Sequence, residues 1–264
     1  MSQRYDVLFE QCKEQNRLAW IPFVMLGYPT LDKSYEYILN LIDAGADALE
    51  IGIPFSDPVA DGPVIQEAAR VALEQGITVA QCLATLAKVR DKHAAVPMGL
   101  LIYANLAYRP GISNFYNHVA QSGVDSVLIA DVPGIEAEPF AEAAYAADVD
   151  PVFIAPPNAS EQSLELLVKY CRGYTYVVSR AGVTGNHQQV EYPLDVLQEL
   201  KTRQAPPAVL GFGISQPEHV VKAAELGFAG VISGTAVIKI MQLDPDNAGP
   251  ALMKFSRSMR AACE

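Results

Sequence analysis

The segment LEIGIPFSDPVADGP, residues 49–63, carries two acids of different character. Glu50 stands between Leu49 and Ile51 in an otherwise apolar run. In a strand, successive side chains alternate, so the two aliphatic residues share one face and Glu50 takes the other. With the aliphatic face against helices, Glu50 points into the interior. A carboxyl group there must be paired, hydrogen-bonded or protonated. Two roles satisfy that demand: a structural acid met by a cation or by backbone donors, or a general acid–base whose pKa burial has raised. Asp61 lies in Asp-Gly-Pro, good chemistry for a turn feeding a helix with Pro63 in its first turn. By itself that is a helix cap. The loop around it says more: Pro54, Pro58 and Pro63 restrict its backbone, while Phe55 and Val59 give it apolar surface. Such a loop serves as a lid or a contact surface.

Two glycine turns offer anion chemistry. LGFGIS (210–215) and ISGTAV (232–237) each read as a strand end, a glycine turn and a helix start. Gly213 and Gly234 permit close backbone approach, and helix N-termini present unpaired N–H groups at the positive end of a dipole. No Lys or Arg occurs in 211–217 or 231–237. A phosphate bound here would rest chiefly on backbone amides. Otherwise, the glycines simply permit tight turns. SRAGVTGNHQQ (179–189), with Gly182, Thr184 and Gly185, is either a loop able to close over a substrate or a solvated linker.

These groups need a scaffold. Eight β-rich runs recur, at 19–25, 47–51, 97–103, 126–130, 151–155, 174–179, 208–212 and 229–233. Several are near-continuously apolar, as parallel strands covered by helices should be. Between them lie amphipathic stretches such as Val79, Cys82, Leu83, Leu86 and Val89. Thr78 with Gln81, and Ser215 with Glu218, have the spacing of capping boxes. AGADALEIG (44–52), SGVDSVLIA (122–130) and LGFAGVISG (226–234) repeat one pattern, in which Gly45, Gly123 and Gly227 stop a helix before a strand. No Gly/Ser-rich or Pro-rich stretch divides the chain. The expectation is α/β: a single (β/α)8 TIM barrel over 1–264, with extra N-terminal and inserted helices. A doubly wound open sheet is the alternative, with two unpaired edges to protect. In a parallel barrel the active site lies at the C-terminal ends of the strands, and phosphate sites favour the turns after strands seven and eight.

Composition narrows the function. The 264 residues carry a formal net charge of −11, and no basic stripe suited to nucleic acid is visible. No apolar run reaches the roughly 20 residues a membrane span requires. The N-terminal MSQRYDVLFEQ lacks a signal-peptide core, so a cytoplasmic location is expected. Cys12, Cys82, Cys171 and Cys263 are too dispersed for a disulfide framework or a zinc site. His93, His118, His187 and His219 are likewise scattered, and no metal is expected.

The segment 49–63 resembles the signature of tryptophan synthase alpha subunits through both acids. The resemblance continues in LLIYANL (100–106), ADVPG (130–134), PPN (156–158), YTYVVSRAGVTG (174–185), GFGIS (211–215) and ISGTAVIK (232–239). It implies a lyase that cleaves indole-3-glycerol phosphate to indole and glyceraldehyde 3-phosphate. It also implies an α2β2 complex whose separate beta subunit carries pyridoxal phosphate, with no cofactor on this chain. Residue by residue, Glu50 and Asp61 match the catalytic acids, and Gly185, Gly213, Gly234 and Thr235 the phosphate-binding positions. Phe23, Ile65, Leu101, Tyr103, Ala130, Tyr176 and Phe212 match the indole pocket, and Thr184 the loop residue that contacts the catalytic aspartate. Thr235 stands where the family usually has serine; hydroxyl and N–H are both kept. Tyr108-Arg109-Pro110-Gly111 is unusual for the family and lies near its expected partner contacts.

Three other readings compete. A related phosphate-binding barrel enzyme would commonly use a lysine as its acid, and no expected strand contains one. A scaffold subunit without chemistry has no need of an interior strand acid. A metal-dependent aldolase needs clustered histidines.

Overall fold

The computed structural model describes residues 3–178 and 192–264. Its strands are Ala19–Met25 (β1), Leu49–Gly52 (β2), Met98–Ile102 (β3), Ser126–Ile129 (β4), Asp150–Ala155 (β5), Thr175–Val178 (β6), Ala208–Gly211 (β7) and Gly230–Ser233 (β8). All neighbours pair in parallel and β8 closes on β1, so the sheet is a closed eight-stranded barrel. Closure leaves no unpaired strand edge, which the open-sheet alternative could not avoid. Helices fill the connections. Two of them, Pro63–Glu74 and Val79–Lys92, lie between β2 and β3, and two more, Ala104–Tyr108 and Ile112–Gln121, between β3 and β4. Gly45, Gly123 and Gly227 have φ of 102°, 74° and 84°, the left-handed conformation expected of helix stops. No helix among the described residues is long and apolar enough to cross a membrane.

The amino-terminal helix Gln3–Glu14 closes the end of the barrel where the strands begin. It buries Tyr5, Leu8, Phe9 and Cys12. The Tyr5 hydroxyl lies 3.0 Å from Ser126 Oγ at the start of β4, and its ring centroid lies 5.4 Å from that of Tyr174, just before β6. Buried Asp125 gathers this end together. It pairs with Arg4 at 2.8 Å and Arg90 at 2.6 Å, and accepts the Met98 backbone N–H. The floor beneath the active end is therefore closed and cross-tied.

Two local expectations differ from the structure. β2 begins at Leu49 instead of residue 47, because Asp47 turns aside to accept the Trp20 N–H and pair with Arg17. The Ser215–Glu218 box does not form. Pro217 occupies the first helical turn of Pro217–Leu226, so the cap falls on Gln216, whose side chain makes no capping bond. The Ser215 N–H donates instead to His219 Nδ1 at 3.3 Å. At Thr78, by contrast, both halves of the capping box are present.

This difference is measurable. In urea unfolding, Thr78→Ala should cost about 1 kcal/mol, the usual loss of an N-cap, whereas Ser215→Ala should stay within roughly 0.5 kcal/mol of the parent. Equal losses at the two sites would contradict the assignment.

Candidate active site

Every strand contributes to one cavity at the barrel's C-terminal end. Phe23, Glu50, Leu101, Ile154, Tyr176 and Ile232 reach it from β1, β2, β3, β5, β6 and β8, and Ala130 and Phe212 from the residues just after β4 and β7. Asp61, Ile65, Gly213, Gly234 and Thr235 complete its wall. Register explains part of this: Phe23 pairs with Glu50, and Glu50 with Gly99, so the acid sits at mid-height in the barrel. Tyr176 needs space made for it. A Cβ at Gly211 would lie 2.3 Å from its phenol, so only glycine at that strand position lets the ring lie where it does. Phe212, with φ of 69°, and Gly213, with φ of 78°, take the chain out of β7 in two successive left-handed residues. For a phenylalanine that conformation costs on the order of 1–3 kcal/mol, a strain typical of functional turns.

Glu50 is 2% exposed, with Leu49 and Ile51 buried on the opposite face of the strand. The described protein offers its carboxylate one hydrogen bond, donated by the Tyr174 hydroxyl at 3.3 Å to Oε1. Burial pushes its pKa from 4.5 up to about 8; the Tyr174 bond opposes the shift and the Asp61 charge adds to it. The carboxyl group is therefore protonated near neutrality, with no paired cation among the described residues.

Asp61 is held differently. Its backbone stays in the loop, with N–H bonded to Pro58 and carbonyl oxygen to Gln66 Nε2, while Gly62 takes the cap position of the following helix. The side chain is thus free to turn inward, where the Tyr103 hydroxyl donates to Oδ2 at 3.0 Å. That same hydroxyl accepts the Ala60 N–H at 3.2 Å, and Phe55 stacks on the Tyr103 ring at 5.2 Å. Burial raises Asp61 from 3.8 to about 6 and Tyr103 pulls it back. Two acids in one cavity thus hold different protonation states between about pH 6 and 8.

At the other end of the cavity lie the two glycine turns. A Cβ at Gly234 would meet only Phe23, at 3.6 Å, an ordinary contact. Protein packing therefore does not require glycine there. What glycine preserves is open space beside the N-terminus of the helix Thr235–Leu243, whose first turn contains no acid. Such a terminus suits an anion.

Comparison with known proteins decides the family. The model for the tryptophan synthase alpha chain matches residues 9–263. The tryptophan synthase alpha chain of Escherichia coli O81 is 49% identical over 98% of each chain, and that of Citrobacter koseri 48%. The solved alpha subunit from Legionella pneumophila superposes with a TM-score of 0.91 at 27% identity, covering 100% of this chain and 99% of that one. A tryptophan synthase complex from Pyrococcus furiosus gives 0.84 at 31% identity, over 93% and 98%. The chain belongs to the tryptophan synthase alpha chain family.

Most residues expected from the resemblance to tryptophan synthase alpha subunits gather in this cavity. Tyr103 does not line it: the ring stands behind Asp61 as the tether of the loop. Thr184 and Gly185 lie outside the described residues. Sequence reasoning missed Ile154 and Ile232, which strand alternation could have supplied. It also missed Tyr174, whose apolar surroundings hid a hydroxyl, and Lys239, beyond the glycine-turn windows but on the cavity wall.

Two outcomes follow for this alpha chain. The folded protein holds the Glu50 proton more tightly than the unfolded chain, so stability is full below about pH 4.5 and falls as pH rises towards about 8. Between about pH 6 and 9 the parent should lose roughly 2–3 kcal/mol more than Glu50→Gln, a difference of about 4–6 °C in melting temperature. Parallel melting curves would show Glu50 ionised in the ordinary range. For the anion end, Gly234→Val should fold normally yet bind glycerol 3-phosphate at least about tenfold more weakly, since the added methyls occupy the space beside the amides. Unchanged affinity by calorimetry would refute that role.

Proposed function

We propose that Glu50 moves both protons of the reaction and that Asp61 stabilises the charge between the two transfers. As a tryptophan synthase alpha chain the protein is a lyase that splits indole-3-glycerol phosphate into indole and glyceraldehyde 3-phosphate. The cleavage is a retro-aldol step. Protonated Glu50 delivers its proton to indole C3, which turns the ring into an electron sink. The adjacent side-chain hydroxyl then returns a proton to the Glu50 carboxylate. The carbon–carbon bond breaks, leaving neutral indole and the aldehyde. The acid ends as it began. Ionised Asp61 accepts the indole N–H and offsets the positive charge that forms on that nitrogen. The observation that carries this reading is the pair of unequal acids in one cavity, facing an anion-ready helix terminus at its far side.

Gly213, Gly234 and Thr235, with Gly185, hold the phosphate, and Thr184 orients Asp61. Phe23, Ile65, Leu101, Ala130, Tyr176 and Phe212 enclose the indole. The reaction uses no cofactor on this chain; pyridoxal phosphate belongs to the beta subunit of the complex. The alpha chain pairs with that subunit, in an α2β2 assembly whose docking over 54–61 shifts that loop toward closure; the other docking segment expected from the sequence, 179–189, lies outside the described residues. Val59, 70% exposed beside Asp61, suits such a contact surface. The complex acts in the cytoplasm, on a chain that is a single barrel domain.

Indole release, measured with and without the beta subunit, tests the scheme. Glu50→Gln should bind substrate normally and lose about a thousandfold or more in kcat; Asp61→Asn should lose about a hundredfold. The parent's kcat/KM should be bell-shaped, with limbs near about pH 6, where Asp61 loses its charge, and about pH 8, where Glu50 loses its proton. In Asp61→Asn the acidic limb should vanish and the alkaline limb move to lower pH, because the charge that raises Glu50 is gone. Parent-like turnover in Glu50→Gln removes the proton-transfer role.

A further inference from the structure

We propose that Lys239 is the charge partner of the substrate's phosphate, a role that rests on the phosphate reading above. Lys239 lies on the helix Thr235–Leu243, four residues after Thr235 and so on the same face, one turn along. Helical side chains lean towards the N-terminus, so this one originates one turn beyond the amides of Gly234 and Thr235 and on their side of the helix. It lines the cavity together with them.

Charge makes this placement informative. Among the described residues of the cavity wall, Lys239 is the one cation, set against the two acids Glu50 and Asp61. Of the described lysines, Lys33, Lys169 and Lys222 pair with Glu36, Glu138 and Glu225, whereas Lys13, Lys88, Lys92, Lys201 and Lys254, like Lys239, have no carboxylate partner; what sets Lys239 apart is its place on the cavity wall. Lys239 makes no hydrogen bond or ion pair among the described residues, and the first turn of its own helix holds no acid. An ammonium leaning towards the positive end of a helix dipole is electrostatically unfavourable unless an anion lies between them. A phosphomonoester dianion supplies that anion.

The arrangement gives the cavity polarity. The dianion is drawn to the end holding Lys239 and kept from Glu50 and Asp61, so an indole-bearing substrate enters with its uncharged ring towards the acids. Lys239 is therefore a binding and orienting residue, with no part in proton transfer. Because it is exposed, its contribution is modest and screened by salt.

Glycerol 3-phosphate binding by calorimetry, at low and high salt, together with indole-3-glycerol phosphate kinetics, tests this on the parent, Lys239→Met and Lys239→Arg. The Met variant should bind about three- to fivefold more weakly, with a shallower salt dependence, and raise KM to the same extent while kcat stays within about twofold. The Arg variant should recover most of the loss. A fall in kcat with unchanged KM would overturn the binding role, as would a Met variant that matches a binding-competent parent in affinity and salt dependence. A parent that takes up no glycerol 3-phosphate overturns the phosphate site itself, and Lys239's role with it. Thermal melting of the variants identifies any loss that comes from unfolding.

Discussion

A carboxyl group carried by a strand in the middle of a closed barrel has little water to ionise into. Around Glu50 this constraint organises everything else. The strand on either side must be aliphatic, the opposite end of the barrel must be sealed, and the group's one described partner must be a neutral hydroxyl. The amino-terminal helix provides the seal through Tyr5, whose ring backs Tyr174, which in turn donates to Glu50. Had an arginine stood at position 174, the acid would be a fixed anion and useless as a proton donor near neutrality. The barrel thus sets an acid strength by exclusion, with desolvation as the largest influence.

The second acid works because it comes from a loop. Asp61 arrives at the cavity from the segment after β2, less deeply enclosed and bonded to Tyr103, and its pKa rises less. Environments that push two like groups apart divide the labour of donating a proton and holding a charge. The loop that carries Asp61 is pinned through Phe55 and Ala60 to the same tyrosine, so movement of this loop moves the aspartate too. A partner chain that grips the loop gains a direct hold on the chemistry. The glycine turns, the N-terminus of the helix Thr235–Leu243 and Lys239 line the same cavity as the two acids, so its wall carries both signs of charge.

Much of this was legible in the sequence because each feature violates a local expectation. Glu50 breaks an apolar strand, and strand alternation alone sends it inward. All eight strands were found because each is a short, largely apolar run preceded by a helix end or turn. The remainder depended on tertiary context that periodicity does not carry. Tyr103 reads as one more aromatic of the pocket, yet its hydroxyl faces a loop far away in sequence and tethers it. Tyr174 and Tyr176 share one face of the strand, but their different depths in the barrel give one to the acid above the sealed floor and the other to the cavity wall. Lys239 escaped because a window drawn around a glycine turn ends before the next helical turn, where its side chain originates. Ser215 matched a capping spacing that Pro217 overrides.

The central claim is that burial keeps Glu50 protonated near neutrality while Asp61 is ionised. The most direct measurement is a carbon-13 NMR titration of the Glu50 side-chain carboxyl in the intact protein, assigned by comparison with Glu50→Gln. The account predicts a midpoint near about 8, moving to lower pH when Asp61 is replaced by asparagine. A midpoint near the ordinary 4.5, unmoved by that replacement, would contradict it.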